Sequence, residues 1–386
     1  MKPPAPAFLA WRQLVWSKVR LFVALAGIAF AVTLMLVQVG FLDALATSAA
    51  TFHMVFDADI VLVDARYNHL KSTSHFSRRY LLQALGHDGV ESVKPFYIGE
   101  ARWRNPWTDS MEGILVVGID PDKTTLNVPG IISQADLLRK TDVVLFDLAS
   151  QAKYGPVPQE IREGRTVAVE VNGKRVRVEG LFRTQKTFYN DGNLVTSDTN
   201  FQRIFQGRTP GAIDVGLVKL KPGADAAKVK AALARTYDGV LKVMLREEAV
   251  HGEKQYWKTK SVIGFIFNMG AVMGFIVGLI IVYQILFSDV QDHLAEYATL
   301  KAIGYSDAFL FLVILYESVI LAFLGFIPGW GVSVLLYAHT ARATSLPIEM
   351  TMERAMQALL VTVVMCVISG SIALRKIKKA DPADIF

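Results

Sequence analysis

The sequence has 386 residues but only one cysteine, Cys366, so an intrachain disulfide framework is excluded. It also lacks the G-x-x-x-x-G-K-[ST] loop that holds nucleotide phosphates, and therefore has no Walker A site for ATP. The seven histidines show no H-E-x-x-H or other ligand spacing, and no G-x-S-x-G elbow is present. We therefore expect no catalytic residues, no cofactor and no metal ion in this chain. A membrane-bound enzyme is the weakest interpretation.

One group of acidic residues is either a metal site or a solvated strand edge. Asp57, Asp59 and Asp64 alternate at the start of an expected strand. Carboxylate oxygens can bind hard cations. Such a pattern is more often a solvated strand edge than a metal site, and we favour the edge.

Long apolar runs are what the sequence has in excess. Apolar residues make up 52% of the chain, against about 45–50% in soluble proteins, and the mean hydropathy is +0.34. A spanning helix needs roughly 20 mostly apolar residues. Residues 21–45, 261–287, 308–338 and 355–374 meet this requirement and predict four transmembrane helices. The first run is too long for a signal peptide and no A-x-A-like site follows it closely, so we expect it to be retained.

Basic residues beside the first and last runs predict the orientation of the chain. They are Lys2, Arg12, Lys18, Arg20, Arg375, Lys376, Lys378 and Lys379. The positive-inside rule then places both termini in the cytoplasm of a bacterium, with a cytoplasmic tail at 375–386 and the spans in the inner (plasma) membrane. By parity, residues 46–258 lie in the periplasm. The loop 288–307 lies in the cytoplasm, although it is not itself basic.

Residues 1–20 have an amphipathic pattern before the first span. Phe8, Trp11, Val15 and Val19 recur at helical spacing, and tryptophan suits the headgroup region of a membrane. We expect a helix that lies on the cytoplasmic membrane surface. The alternative is a plain N-terminal extension of the first span.

The segment between the first two spans predicts a large α+β domain. Runs rich in β-branched residues predict strands at 57–65, 111–120 and 142–148, and Asn172-Gly173 predicts a tight hairpin. A strand, a helix and a second strand follow one another at each end of the segment. We therefore predict one α+β layer built from the two ends and a second lobe at about 120–210.

Small residues in the second span predict a packing face. Gly270, Gly274 and Gly278 are four residues apart, a spacing that lets two helices approach closely. The face belongs either to the inside of the bundle or to a contact between two copies, and the sequence leaves both open.

The third span combines small residues with one charge. Gly325 and Gly329, with Pro328, permit close helix packing and a kink. Glu317 is costly to bury in a membrane. It could carry protons or contact a substrate, but we favour a structural role.

The stretch LAEYATLKAIGYSD at 294–307 is compact and mostly polar, although it separates two apolar runs. It predicts a short helix that ends near Gly304, since a plain turn would contain more Gly, Pro and Asn. Because the chain has no ATP site of its own, we interpret this segment as a coupling helix that contacts a separate ATPase. The candidate contact residues are Leu294, Glu296, Leu300, Lys301 and Gly304.

The order of these features resembles the type VII ABC transporter permeases, the MacB and FtsX-like group. The stretch EYATLKAIG resembles that family's E-I-x-x-x-(K/R)-A-x-G pattern after the second span, and Glu317 followed by spaced glycines resembles its third-span pattern. The tail ADPADIF at 380–386 resembles its closing D-P-x-(D/E) segment. The matching residues are Glu296, Lys301, Ala302, Gly304, Glu317, Gly325 and Gly329. Within the group, the chain is most similar to DevC-type subunits.

The resemblance implies a non-catalytic membrane subunit of a tripartite exporter. Its implied partners are a second copy of this chain, a dimer of a separate ATPase that binds ATP and Mg²⁺, a periplasmic adaptor and a TolC-like outer-membrane channel. The implied cargo is an amphiphile such as a glycolipid, moved by mechanotransmission. Two alternatives stay open: FtsX-like signalling to a cell-wall hydrolase, and LolC/LolE-like extraction of lipoproteins. We expect no nucleic-acid partner, because the basic residues lie beside apolar spans.

Overall fold

The structure is a computed structural model that describes residues 6–123, 125–185, 187–344 and 346–378. The chain divides into two compact units, and each is described by itself. The membrane unit contains residues up to Ala44, Val262–Thr344 and residues from Ile348 onwards. The inserted unit contains Leu45–Ser261. The closing motif at 380–386, the end of the predicted tail and Lys2 lie outside the described residues.

The α-helices follow one another along the chain in a simple order. They are α1 (Pro6–Trp16), α2 (Lys18–Ala49), α3 (Thr51–Val55), α4 (Arg78–Gln83), α5 (Pro129–Ile132), α6 (Ala135–Leu138), α7 (Val157–Arg162), α8 (Asp198–Ile204), α9 (Ala226–Thr236), α10 (Arg246–Thr259), α11 (Val262–Asp292), α12 (Leu294–Ala302), α13 (Asp307–Thr344) and α14 (Met352–Lys378). Short 3₁₀ helices lie between these α-helices, at Leu70–Ser72, Ala84–Gly86 and Ala152–Tyr154.

Four helices are long and apolar enough to cross a membrane: α2, α11, α13 and the Met352–Leu374 part of α14. Each extends beyond the apolar run that predicted it. Residues 288–292, predicted as loop, continue α11 because the segment contains no Gly or Pro to end the helix. In the same way, α14 extends to Lys378 and takes up the first residues of the predicted tail.

The amphipathic helix is shorter than predicted. α1 ends at Trp16, and α2 begins at Lys18, so Val19 belongs to the first spanning helix. α1 packs against α13 and buries Ala10, Gln13 and Leu14. Phe8 and Trp11 stay exposed, as expected of the lipid-facing side of an interfacial helix.

Glycines bring the spanning helices into close contact. A Cβ atom added to Gly270 would lie 2.6 Å from Gln38, and one added to Gly278 would lie 2.7 Å from Ala31, both on α2. Gly274 also faces α2. The glycine face of α11 is therefore occupied within the bundle.

The third span contacts α2 through its own small residues. A Cβ atom on Gly325 would lie 2.6 Å from Ile28, and one on Gly329 would lie 2.7 Å from the carbonyl oxygen of Ala29. The Thr33 hydroxyl donates to the Gly329 carbonyl oxygen at 3.1 Å, one residue after Pro328. A side-chain donor on α2 thus bonds the backbone of α13 beside its proline.

The inserted unit is built on one large mixed sheet. Its strands are β1 (Ile60–Asp64), β2 (Phe76–Ser77), β3 (Val90–Arg104), β4 (Met111–Ile119), β5 (Val143–Asp147), β6 (Val167–Val171), β7 (Lys174–Phe182), β8 (Asn193–Ser197), β9 (Ala212–Ile213), β10 (Val215–Leu220) and β11 (Leu241–Leu245). Nine strands pair in the order β11-β1-β10-β3-β4-β8-β5-β7-β6, and β2 pairs with β9. The pairs β4–β8 and β5–β7 are parallel; the other pairs are antiparallel.

The predicted second lobe is not separate from the first. The first half of β3 pairs with β10 and its second half pairs with β4. β6 pairs back to β3 at Trp103↔Val171, which closes β3, β4, β8, β5, β7 and β6 into a small barrel. Trp103 is fully buried inside it, with ring centroids 5.6 Å from Phe146 and 5.9 Å from Tyr154. The chain from about 120 to 210 therefore completes a barrel that begins earlier, in β3.

The sheet is buried on both faces near the end that contains β1. Ile60 and Leu62 of β1 belong to one apolar cluster, and Val61 and Val63 belong to another. Successive strand residues point to opposite faces, so the unbroken apolar sequence of β1 predicts a strand covered on both sides.

The predicted hairpin is confirmed. Asn172 and Gly173 both have positive φ angles, 50° and 77°, as a type I′ turn between β6 and β7 requires.

Candidate coupling sites

The short helix α12 joins α11 to α13 in the membrane unit. It stops at a Schellman motif, in which the Gly304 N–H donates to the Lys301 carbonyl and the Tyr305 N–H donates to the Leu300 carbonyl. Gly304 has a φ of +102°, which glycine adopts without strain. The structure thus gives Gly304 the role of ending the helix.

Tyr297, which no sequence pattern singles out, holds α12 against the rest of the membrane unit. It is 5% exposed and packs in an apolar cluster with Val290, Leu310, Ile314 and Leu374. Its hydroxyl donates to the Gln13 Oε1 atom of α1 at 3.3 Å. Burial, with the nearby carboxyl groups of Glu317 and Asp289, raises the pKa of Tyr297, so the hydroxyl stays protonated.

The opposite side of α12 is exposed to solvent. Glu296 and Ile303 lie there, and Ile303 is 71% exposed although it is apolar. Lys301 forms an ion pair with Asp307 across the loop at 2.7 Å. This pair ties the end of α12 to the start of α13.

The predicted contact residues of α12 are therefore not all on one surface. Glu296 is exposed, whereas Leu294 is half-buried. Leu300 is half-buried against the cluster around Tyr297. Ile303 and Glu296 are better placed to meet another protein than Leu300 is.

A partly buried charged cluster lies behind α12. The Arg20 Nη1 atom of α2 donates to the Asp289 Oδ1 atom of α11 at 2.8 Å, and Arg20 also pairs with Asp292. Glu317 of α13 is fully buried and interacts electrostatically with Asp289 and Arg20. Among the described residues, no side chain or backbone group donates a hydrogen bond to the Glu317 carboxylate oxygens. The predicted structural residue Glu317 thus belongs to a cluster that joins three spanning helices.

The inserted unit has a second candidate site, where α3 meets α10. Glu253 of α10 is 1% exposed and accepts hydrogen bonds from the Tyr67 hydroxyl at 2.8 Å and the Leu70 N–H at 3.0 Å. The Trp257 indole N–H donates to the same carboxylate at 3.0 Å. His53 of α3 lies 3.5 Å from it. The carboxylate of Glu253 therefore connects the two helices that precede and follow the sheet.

The pKa of Glu253 reflects these contacts. Burial acts to raise it, but His53, Tyr67 and Trp257 outweigh burial and hold the pKa of Glu253 below its ordinary value. Burial and the neighbouring Glu253 raise the pKa of Tyr67 well above its ordinary value. The site thus consists of an ionised carboxylate and a protonated phenol.

Aromatic residues extend this site. Trp257 lies edge-on to Phe188 at a centroid distance of 4.7 Å and stacks on Tyr189 at 6.0 Å. The Phe188 N–H donates to the Ser48 hydroxyl at the end of α2 at 3.3 Å. The loop around Phe188 therefore forms a hydrogen bond with α2 and packs on α10.

The acidic residues considered as a metal site take part in other contacts. Asp57 pairs with Lys94 at 2.7 Å and with Lys219 at 3.0 Å, and Asp59 accepts the Leu220 N–H. Asp64 caps a turn at its strand end. In the described part of the chain, no group of three or more His, Cys, Asp or Glu residues is arranged to hold a metal ion.

Two sequence profiles match the chain. That of the MacB-like periplasmic core domain matches residues 21–236, and that of the FtsX-like permease C-terminal domain matches residues 268–382. The first match alone covers more than half of the chain. The chain belongs to the MacB/FtsX-like permease family. With its four spanning helices, it is a multi-pass membrane protein and a permease component of an ABC transporter, which works with an ATPase.

Some solved structures are also similar to part of this chain. One is the periplasmic region of MacB from Actinobacillus actinomycetemcomitans, at 12% identity and a TM-score of 0.36, with 50% of this chain and 91% of that chain covered. Another is the extracellular domain of the noncanonic ABC-type transporter YknZ from Gram-positive bacteria, at 13% identity and a TM-score of 0.32, with 48% of this chain and 98% of that chain covered. A search of curated proteins gave no match.

Proposed function

We propose that this chain is the membrane subunit of a tripartite exporter of the DevC type, driven by mechanotransmission from a separate ATPase. The partner ATPase binds ATP and Mg²⁺, and this chain contributes no cofactor. Two copies of the chain pair over an ATPase dimer. A periplasmic adaptor and a TolC-like channel complete the path for an amphiphilic cargo such as a glycolipid.

The observation that carries this proposal is the way α12 is held. A partner can move the spanning helices only through an element that is packed firmly against them. Tyr297 packs α12 into the bundle, and the half-exposed Lys301–Asp307 pair at 2.7 Å adds a weaker contact at its end. The exposed Glu296 and Ile303 then offer a polar and an apolar contact to the ATPase.

The orientation of the chain supports this arrangement. Arg12, Lys18 and Arg20 favour a cytoplasmic N-terminus by the positive-inside rule. Four spans then place α12 in the cytoplasm and the inserted unit outside the inner membrane. The exposed Phe8 and Trp11 of α1 suit the cytoplasmic headgroup region.

The cluster behind α12 suggests how motion continues into the bundle. Arg20, Asp289 and Glu317 come from three different spanning helices. A shift of α12 carried through its buried Tyr297 therefore acts on α2, α11 and α13 together. In the inserted unit, Glu253 of α10 lies 3.5 Å from His53 of α3, a contact that links these two helices.

The test is coupled ATP hydrolysis and export after reconstitution with the ATPase. We expect Tyr297→Ala to leave membrane insertion intact but to abolish the dependence of hydrolysis on cargo, because α12 loses its anchor. Thr299→Ala, an exposed change on the same helix, is the matched control and should behave as wild type. Full cargo-dependent hydrolysis in Tyr297→Ala would contradict the proposal.

A second experiment separates the exporter from the other functions known in this family. Affinity purification of the full chain from membranes should recover an adaptor and a channel along with the ATPase. Recovery of a cell-wall hydrolase would instead favour FtsX-like signalling. Recovery of a lipoprotein chaperone would favour LolC/LolE-like extraction.

A further inference from the structure

A groove of about 310 Å³ lies in the membrane unit between α2, α11 and α14. Met35 of α2 and Phe275 of α11 line its inner part, and Val272 and Val361 stand at its exposed rim. The groove exists because Ala271 and Ala358 occupy positions where larger apolar residues would fill the space. Its lining is apolar along nearly its whole length.

One end of the groove is polar. Arg354 lies in the first turn of α14 and is 9% exposed; its Nη2 atom donates to the Asp43 Oδ2 atom of α2 at 2.6 Å, and its Nη1 atom donates to the Glu349 carbonyl oxygen. Gln357 follows one turn later and is exposed at the groove. A guanidinium has five N–H donors, so Arg354, which lines the groove, can bond both Asp43 and Glu349 and still donate to a phosphate oxygen at the mouth of the groove.

The position of the groove identifies the leaflet that it faces. Its polar end lies near the start of α14 and near Asp43, late in α2, and the chain enters the inserted unit just after that point. From Arg354 to Val361 a helix rises by about 10 Å. The groove therefore runs from the headgroup level into the hydrocarbon of the leaflet on the side of the inserted unit.

We propose that this groove binds one acyl chain of a phospholipid from that leaflet, with the phosphate beside Arg354. Water is a poor occupant of an apolar groove because it needs two to four polar partners. An acyl chain matches the lining, and the headgroup matches the polar end. The proposal adds a lipid site to the bundle, and it rests on the proposed function only in requiring a membrane around the helices.

The test uses the full chain in nanodiscs without any ATPase, so failure of the exporter proposal cannot affect it. The nanodiscs contain a trace of phosphatidylethanolamine with a photoactivatable diazirine at mid-chain, and labelled peptides are identified by mass spectrometry. We expect the labels to concentrate on residues 271–275 and 354–361. The exposed residues Val332 and Leu335 of α13 report ordinary contact with lipid.

Filling the groove supplies the decisive comparison. Ala358→Phe should reduce labelling of α11 and α14 to the level of the α13 residues. Ala338→Phe, the same change on an exposed part of α13, should leave the labelling of α11 and α14 unchanged. Ala271→Leu serves as a second filling variant should Ala358→Phe fail to fold. Uniform labelling around the bundle would overturn the proposal. The proposal would also be overturned if the groove stayed unlabelled and cysteines placed in it cross-linked two copies of the chain.

Discussion

At the residue scale, Glu253 of α10 is a buried acceptor of several hydrogen bonds in the inserted unit. Its carboxylate accepts from Tyr67, Leu70 and Trp257 while it is 1% exposed. A group with so many donors cannot be removed without leaving several of them unpaired.

We expect Glu253→Gln to destabilise the inserted unit by about 1–3 kcal/mol, the usual cost of leaving buried donors unsatisfied. The amide keeps the shape of the side chain but replaces one acceptor oxygen with a donor. Thermal unfolding of the full chain should show the loss as a lower Tm. Glu247→Gln, on an exposed position of the same helix, is the control and should leave the Tm unchanged.

The same residue predicts a pH dependence. Its pKa in the folded protein is held below the ordinary value of 4.5, mainly by His53, Tyr67 and Trp257 acting against burial. A depressed pKa contributes stability that is fully present above the ordinary value and is lost as the pH falls through the folded pKa. The Tm difference between wild type and Glu253→Gln should therefore shrink as the pH falls below about 5. A difference that grows on acidification would contradict this account.

At the scale of elements, close contacts between helices determine which glycines of α13 can be replaced by alanine. A Cβ on Gly329 would lie 2.7 Å from the Ala29 carbonyl oxygen, a backbone atom that cannot rotate away, whereas a Cβ on Gly331 would meet nothing within 4 Å. We expect Gly329→Ala to lower the Tm of the chain in detergent. Gly331→Ala, two residues further on, should keep or raise it, since alanine favours a helix by about 1 kcal/mol over glycine. Equal Tm values for the two variants would refute the close packing.

Local elements of this protein could be predicted from the sequence, whereas long-range contacts could not. Asn172-Gly173 specifies its hairpin because both residues accept positive φ. Tyr297 was missed because a nine-residue helix has too few apolar positions to reveal its buried side. The pairing of Trp103 with Val171 was missed because it joins residues far apart in the chain, and no local pattern encodes it.

At the scale of the whole molecule, the proposed orientation can be tested with cysteine labelling. Cys366 is fully buried, so an impermeant maleimide should not reach it in the native protein. We expect Trp107→Cys, in an exposed loop of the inserted unit, to react in spheroplasts. Glu296→Cys in α12 should react only after the membrane is opened. The reverse pattern would place the inserted unit in the cytoplasm and exclude the exporter.

The order of strands in the sheet also has a consequence for biosynthesis. β1 is among the first parts of the inserted unit to leave the ribosome, but its partners β10 and β11 pair with it through Val218 and Leu245, near the end of the unit. Contacts so distant in sequence form late. The nascent chain must therefore keep the apolar residues of β1 out of aggregates until most of the unit has been made. A nascent chain halted before residue 215 contains β1 with neither of its partners, and we expect it to depend on chaperones and to be degraded readily.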